Sequence, residues 1–321
     1  MTGYEITSGD CWFLTGPTAS GKTTVAIELA RLLGAEIISL DSMALYRGMD
    51  IGTAKPTEVE RAGIVHHLID VIEPNEKYSV AQYVLAADET VRQIEARGAT
   101  PLFVGGTPLY LKALLRGIFR GPPADWQLRR RLQAVAENEG HEGLHARLAA
   151  VDPLSARRLH PRDTRRVIRA LEVFEKTGQS ISELQKQFDR ARPADECRVF
   201  VLDWPREELG QRIDRRVDAM FRKGLVDEVR RLLASPTPPG RTASQTIGYR
   251  EVIEHLRGAR EFSETVELVK LRTRQFAKRQ MTWFRSLSEC RFIKMSDARG
   301  ACDVAGQIAR EGAAGRSGLG D

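Results

Sequence analysis

The segment that most restricts the fold is Gly16-Pro17-Thr18-Ala19-Ser20-Gly21-Lys22-Thr23. It fits GxxxxGK[ST], and it lies where that pattern has physical meaning. The apolar run 11–15 precedes it, and Val25, Leu29, Leu32 and Leu33 follow at helical spacing as far as Gly34. In a strand–loop–helix of this kind the glycines let backbone N–H groups turn inward around a phosphate chain, and the helix N-terminus adds a favourable dipole. Lys22 supplies a point charge and Thr23 a hydroxyl suited to Mg²⁺. Residues 16–23 are therefore expected to bind a diphosphate or triphosphate; the pattern is shared with ATP- and other nucleotide-binding proteins, and does not say which compound is held.

Such a loop needs a parallel sheet around it. Further strands are expected at Glu36–Leu40, His66–Val71 and Pro101–Val104, with a helix from Ser79 to Gly98 along Val80, Val84, Ala87, Val91 and Ile94. The alternation predicts an α/β fold, a P-loop NTPase-like parallel sheet flanked by helices. After the break at Gly121-Pro122-Pro123 the chain is helical in pattern to about Pro193, and strand character resumes at Arg198–Asp203 and Arg291–Met295. An all-helical domain inserted into the core is the economical arrangement. Its expected bounds are 121–195, between core segments 1–120 and 196–296; the glycine-rich tail 297–321 is expected to be poorly ordered.

Asp41-Ser42 directly follows the second strand, at the sheet edge where open parallel sheets bind ligands. From position alone Asp41 is as consistent with a turn cap or a water-mediated metal contact as with catalysis.

The chain has 321 residues and a net charge of +6, unevenly placed. Residues 1–115 carry a net −5, which leaves +11 for the remainder and suggests that the rear of the chain meets a polyanion. Arg157, Arg158, Arg162, Arg165, Arg166 and Arg169 crowd one stretch against the single acid Asp163. On a helix starting near Pro161, Arg162, Arg165 or Arg166, and Arg169 share a face, with Ile168, Leu171 and Phe174 inward. A second basic helix holds Lys270, Arg274, Lys278, Arg279 and Arg285, and its Phe276 and Trp283 are expected to pack inward. Solvated surface is the alternative for both runs.

No run approaches the roughly 20 apolar residues that cross a bilayer. The first thirty residues, with Asp10 and Glu28, do not resemble a signal peptide, so a cytoplasmic, monomeric protein without membrane contact is expected. Cys11, Cys197, Cys290 and Cys302 form no CxxC pair, which argues against a disulfide scaffold or thiolate zinc site. His66, His67 and His160 share no ligand spacing and are expected to be structural.

The stretch from Asp41-Ser42 through Tyr46 to Ile51-Gly52-Thr53-Ala54-Lys55-Pro56 resembles the DSxxxYxxxxIGTAKP segment of the tRNA dimethylallyltransferases. The resemblance continues through His67-Leu68-Ile69-Asp70, Tyr78-Ser79, Gly105-Gly106-Thr107-Pro108-Leu109-Tyr110, Arg166–Glu172, Ile247-Gly248-Tyr249 and Lys278–Arg285. It implies transfer of a dimethylallyl group from dimethylallyl diphosphate to N6 of the adenosine just 3′ of the anticodon, in a family whose phosphate loop grips the isoprenoid diphosphate and not ATP. Asp41 matches the family's general base, Thr23 its metal hydroxyl for Mg²⁺, Arg216 its second-domain arginine at the diphosphate, and Thr107 its contact to the target nucleotide. Contacts to the tRNA anticodon stem-loop are implied for Asp41, Ser42, Met43, Ala44, Thr107, Arg129, Arg165, Arg166, Val167, Ile168, Arg169, Gln245, Gly248, Tyr249, Arg250, Lys278, Arg279, Gln280, Trp283 and Arg285. Family members commonly have Gln where this chain has Arg165, and Gly where it has Pro108.

Because the target base lies in a stacked loop, access requires flipping it out. A P-loop small-molecule kinase would share the loop and sheet, and an adenylate isopentenyltransferase would share the chemistry. Neither needs the basic insertion and basic C-terminal helix. A purely structural RNA-binding module has no use for a phosphate loop beside Asp41.

Overall fold

In chain order, the computed structural model, which describes residues 11–119, 121–185 and 191–314, begins with β1 (Trp12–Thr15), α1 (Lys22–Leu33), β2 (Ala35–Ser39), α2 (Glu58–Arg61), β3 (His66–His67), α3 (Val80–Ala96), β4 (Thr100–Gly105) and α4 (Pro108–Arg116). A helical run follows: α5 (Trp126–Asn138), α6 (Gly140–Val151), α7 (Pro153–Arg158), α8 (Thr164–Thr177) and α9 (Ile181–Leu184). The remainder comprises β5 (Val199–Asp203), α10 (Arg206–Arg222), α11 (Leu225–Leu233), α12 (Arg241–Ser244), α13 (Tyr249–Leu256), α14 (Phe262–Arg285), β6 (Cys290–Lys294) and α15 (Ala301–Ala314).

The six strands form one parallel sheet in the order β3-β2-β4-β1-β5-β6. Helices cover it, so β1 and β5 are buried along their whole length, which accounts for their unbroken apolar character. The register fixes what the sheet can present. Thr15 pairs with Gly105 and Ser39 with Val104, so β1, β2 and β4 end at one level. The loops that leave them, carrying the phosphate-loop sequence, Asp41 and Thr107, emerge side by side.

Residues 115–185 form a separate compact unit, and the chain belongs to the sheet unit again from Ala191, so 191–195 fall outside the helical unit. This helical unit has its own core of Leu132, Leu144, Leu148, Ala156, Val167, Ile168 and Leu171. Helix α8 starts at Thr164, later than the expected Pro161, because the Asp163 side chain caps it by accepting from the Arg166 N–H. Arg162 therefore precedes the helix and does not share the arginine face.

Two further expectations change. The strand expected over His66–Val71 is two residues long, because Leu68 and Asp70 adopt left-handed backbone (φ 56° and 57°) and the N–H groups of Asp70 and Val71 turn to the carbonyls of Ala44 and Leu45. The tail expected to be poorly ordered holds a fourteen-residue helix, α15, which buries Val304, Ala305 and Ile308 and packs along α1. Helical spacing of those apolar residues outweighs the local glycine content; residues 315–321 lie outside the described residues.

The segment after Asp41 is pinned by a buried carboxylate. Glu228 of α11, 3% exposed, accepts from the N–H groups of Asp50, Ile51 and Gly52 at 3.1, 2.8 and 3.2 Å and from the Tyr249 hydroxyl at 2.6 Å. Gly52 lies so close to the Tyr249 ring that a Cβ there would overlap it. Lys55 is also buried, paired at 2.6 Å with both Asp50 and Asp70. Glu228→Ala should leave the Tyr249 hydroxyl and the three N–H groups without their acceptor and cost about 2–4 kcal/mol. Equilibrium denaturation measures this; a change below about 0.5 kcal/mol, the range of an ordinary surface substitution, would contradict the assignment.

Candidate active site

The carboxyl ends of β1, β2 and β4 floor a cavity of about 660 Å³. Its walls come from 18–24, 41–44, 52–56 and 105–107, from Arg212 and Arg216 of α10, from 245–248 and from α14. All belong to the sheet unit.

Positive φ at Gly16, Ala19 and Gly21 (147°, 64° and 84°) curls the phosphate-loop backbone into an anion-binding nest. Its carbonyls are held from outside the curl: the Trp204 indole N–H donates to Ser20 O at 2.9 Å, and Arg212 Nε donates to Ala19 O at 3.1 Å while its guanidinium lies 4.1 Å over the Trp204 ring. The first-turn amides of α1 lack intrahelical acceptors and adjoin the cavity, a ready phosphate cradle. Lys22 Nζ donates to Gly16 O at 3.0 Å and Pro17 O at 2.7 Å. Burial, and secondarily Arg216, lower its pKa from 10.5 to about 7, against the opposing pull of Asp41. Burial also lowers the pKa of Arg216. Among the described residues, Arg216 Nε is a buried polar side-chain atom without a hydrogen-bond partner, and its Nη2 reaches Thr53 O at 3.5 Å. Two half-buried cations beside a nest of N–H groups leave a deficit of negative charge that a diphosphate fits.

At the neighbouring strand end, Asp41 Oδ1 accepts from the Met43 N–H at 2.8 Å. Thr107 joins the two loops: its hydroxyl oxygen accepts from the Ser42 N–H at 3.0 Å, and its own N–H donates to Leu40 O at 3.1 Å. Pro108 takes the first position of α4, where its missing N–H costs nothing, so the departure from the family's Gly leaves the turn intact. Met43 Sδ accepts from the Thr246 hydroxyl at 2.9 Å, and Ala44 is buried. Thr23 is exposed at the cavity. Among the described residues no group of three or more His, Cys, Asp or Glu side chains could hold a metal. A cation here would have Thr23 and the oxygens of a bound diphosphate as donors, a hard-oxygen set that suits Mg²⁺.

The residues expected at RNA divide into two groups. Lys278, Arg279, Trp283 and Arg285 lie on the exposed side of α14, and Gln245 is exposed at the cavity. Arg250 is exposed and paired with Glu254 at 3.0 Å. Phe276 and Trp283, expected inward, are instead 37% and 40% exposed, because Ala277, Gln280, Met281 and Phe284 fill the buried stripe of the helix. Gln280 and Tyr249 are buried, and so is the backbone at Gly248. In the helical unit Arg165 and Arg166 are exposed, Arg166 with Asp163 at 3.0 Å. Val167 and Ile168 belong to that unit's core. Arg129 and Arg169 both bind the fully buried Glu172, at 2.7 and 2.5 Å.

Trp204, Arg212 and Glu228 were not singled out from the sequence. Arg212 had a usable signal, lying four residues before Arg216 and hence on the same helix face.

The IPP transferase family model matches residues 44–287. A tRNA dimethylallyltransferase of Pelotomaculum thermopropionicum is 47% identical over 298 residues, 92% of this chain and 94% of its own. A tRNA dimethylallyltransferase 1 of Trichlorobacter lovleyi is 50% identical over 273 residues, covering 85% and 90% of the two chains. Among solved structures, the full-length tRNA isopentenylpyrophosphate transferase of Bacillus halodurans superposes with a TM-score of 0.70 at 36% identity, over 97% of this chain and 99% of that one. A eukaryotic dimethylallyltransferase acting on tRNA gives a TM-score of 0.75 at 28% identity, covering 94% and 77%. Matched at these identities over most of its length, this chain belongs to the tRNA dimethylallyltransferase family.

Proposed function

We propose that this protein transfers the dimethylallyl group of dimethylallyl diphosphate to the exocyclic N6 of the adenosine just 3′ of the anticodon in tRNA, in the cytoplasm. The observation that carries the reading is the pair of half-buried, partly desolvated cations, Lys22 and Arg216, in one cavity with Asp41. A leaving diphosphate on the loop develops negative charge where those cations and the nest amides lie. The nucleophile faces it from the side of Asp41 and Thr107.

The bond that forms joins N6 to C1 of the prenyl group, and the bond that breaks joins C1 to the diphosphate oxygen. The amino lone pair is delocalised into the adenine ring, so removing the N6 proton as the new bond forms lowers the barrier; that proton goes to the Asp41 carboxylate. A positioned base of this kind contributes about 10²–10⁴ in rate. Thr107 holds the Asp41–Ser42 backbone to the β4 turn and stands beside the entering base. Mg²⁺, held by Thr23 and diphosphate oxygens, would neutralise charge on the leaving group.

An adenylate acceptor would use the same cavity. The exposed Lys278, Arg279, Trp283 and Arg285 on α14 favour RNA, because a free nucleotide has no need of that face.

The protein with Mg²⁺ should transfer labelled dimethylallyl to unmodified tRNA carrying the target adenosine. Transfer to AMP with none to tRNA, or phosphoryl transfer from ATP, would overturn the proposal. Asp41→Ala should lower kcat by about 10²–10⁴ while the affinity for Mg²⁺-diphosphate stays within about threefold; equal loss of both would make Asp41 a structural residue.

The folded-state pKa of Lys22 lies below its ordinary value, so the empty site favours the neutral amine, and a bound diphosphate favours the ammonium form. Diphosphate binding above pH 7 should therefore take up a proton at Lys22, and affinity should weaken as pH rises through about 7. Calorimetry at pH 8 in two buffers of different ionisation enthalpy should show that uptake, over and above the ligand's own ionisation. Lys22→Met should remove it, and equal proton counts in the two proteins would refute the assignment.

A further inference from the structure

We propose that Gln280 is a positioning residue for the transfer reaction, which sets the phosphate loop against the turn that carries Thr107 and does not itself contact RNA. The inference rests on the functional reading above.

Gln280 lies on α14, whose outer side carries Lys278, Arg279 and Trp283, but its own side chain points the other way and is 3% exposed. Both ends of its amide are used. Oε1 accepts from the Thr18 N–H of the phosphate loop at 2.9 Å, and Nε2 donates to Gly106 O in the β4 turn at 2.5 Å. The two loops it joins are distant in sequence and sit at the ends of adjacent strands, β1 and β4. One holds the leaving group and the other adjoins the base and the nucleophile. The in-line distance between diphosphate and attacking nitrogen is thus set partly by a single side chain.

The surroundings of Gly106 show how closely the Gln280 amide is fitted. A Cβ built there falls 2.6 Å from Gln280 Nε2 and 3.2 Å from Gly16 O. The φ of Gly106 is not positive, so backbone conformation alone does not demand glycine. A methyl group there would push the Gln280 amide aside and press on Gly16 O. A side chain of Leu or Met at 280 would fill the space and satisfy neither end, leaving a loop N–H and a turn carbonyl to shift toward other partners.

The reading of 278–285 as an RNA surface assigns Gln280 to tRNA, and the two roles separate in steady-state kinetics. For Gln280→Met the positioning role predicts a fall of about tenfold or more in kcat, a comparable weakening of Mg²⁺-diphosphate binding, and a KM for tRNA within about twofold of the parent. Gly106→Ala, which displaces the same amide from the opposite side, should reproduce the kcat loss. The two losses should be non-additive, the double variant being no slower than the worse single one. Hydrogen exchange over 16–20 should quicken in Gln280→Met, with global unfolding unchanged after correction for any shift in midpoint. An RNA contact would instead raise the KM for tRNA and leave diphosphate binding and loop exchange as they were; a merely structural role would lower the thermal midpoint and leave kcat at permissive temperature unchanged. Either result overturns the proposal. Should Gln280→Met not fold, Gly106→Ala with the same readouts decides the question. Absence of transfer by the parent protein would count against the functional reading, and leaves the exchange and diphosphate-binding measurements to judge Gln280.

Discussion

Everything at the candidate site depends on the register of three parallel strands. Thr15 is level with Gly105, and Ser39 with Val104, so an anion-binding loop, an acid and a hydroxyl-bearing turn share one edge although they lie far apart in sequence. A side-chain bond repeats the alignment from within, since the Thr15 hydroxyl donates to Gly105 O at 2.8 Å. Shifting one strand by a residue would reverse the facing of its side chains and take its loop out of line. The helices and connecting segments then supply what the edge lacks: Arg212 and Arg216 from α10, Gln280 from α14, and the 50–52 loop held by Glu228.

The electrostatics follow from burial. Lys22 and Arg216 are both pushed toward their neutral forms by desolvation, and Asp41 alone does not offset this. A site with that imbalance is incomplete until it holds an anion, and the nest around Ala19 gives that anion a defined place. The same imbalance explains why a chain with an acidic front segment can bind a polyphosphate: its net −5 over residues 1–115 is the sum over a surface, whereas the ligand meets a few buried donors.

How much was legible in the sequence depended on the range of the interaction. Residues 16–23 are a local pattern flanked by local patterns, so loop, strand and helix are all evident there, and the sheet class follows. The edge strand at His66 is shorter than its sequence suggests, because a left-handed turn at Leu68 has no composition signal in a leucine. For Phe276 and Trp283 the inward packing expected of aromatic residues failed. The interior of α14 is filled by Ala277, Gln280, Met281 and Phe284, and a glutamine in that stripe makes sense only once Thr18 and Gly106 are seen at its two ends. Glu228 carries no signal in its own helix for the same reason: its four donors come from two distant segments. The resemblance implies tRNA contact for both Arg129 and Arg169, and spacing gives no sign of the buried Glu172 shared between them.

On the proposed function, the phosphate loop holds the leaving group of a prenyl transfer. Initial rates with dimethylallyl diphosphate varied against fixed inorganic diphosphate, at saturating tRNA, test it most directly. Competitive inhibition is expected, with an increase in the KM for the prenyl donor at unchanged kcat and a marked weakening of that inhibition in Lys22→Met. Inhibition that lowers kcat and leaves the KM for dimethylallyl diphosphate untouched would place the diphosphate outside the loop.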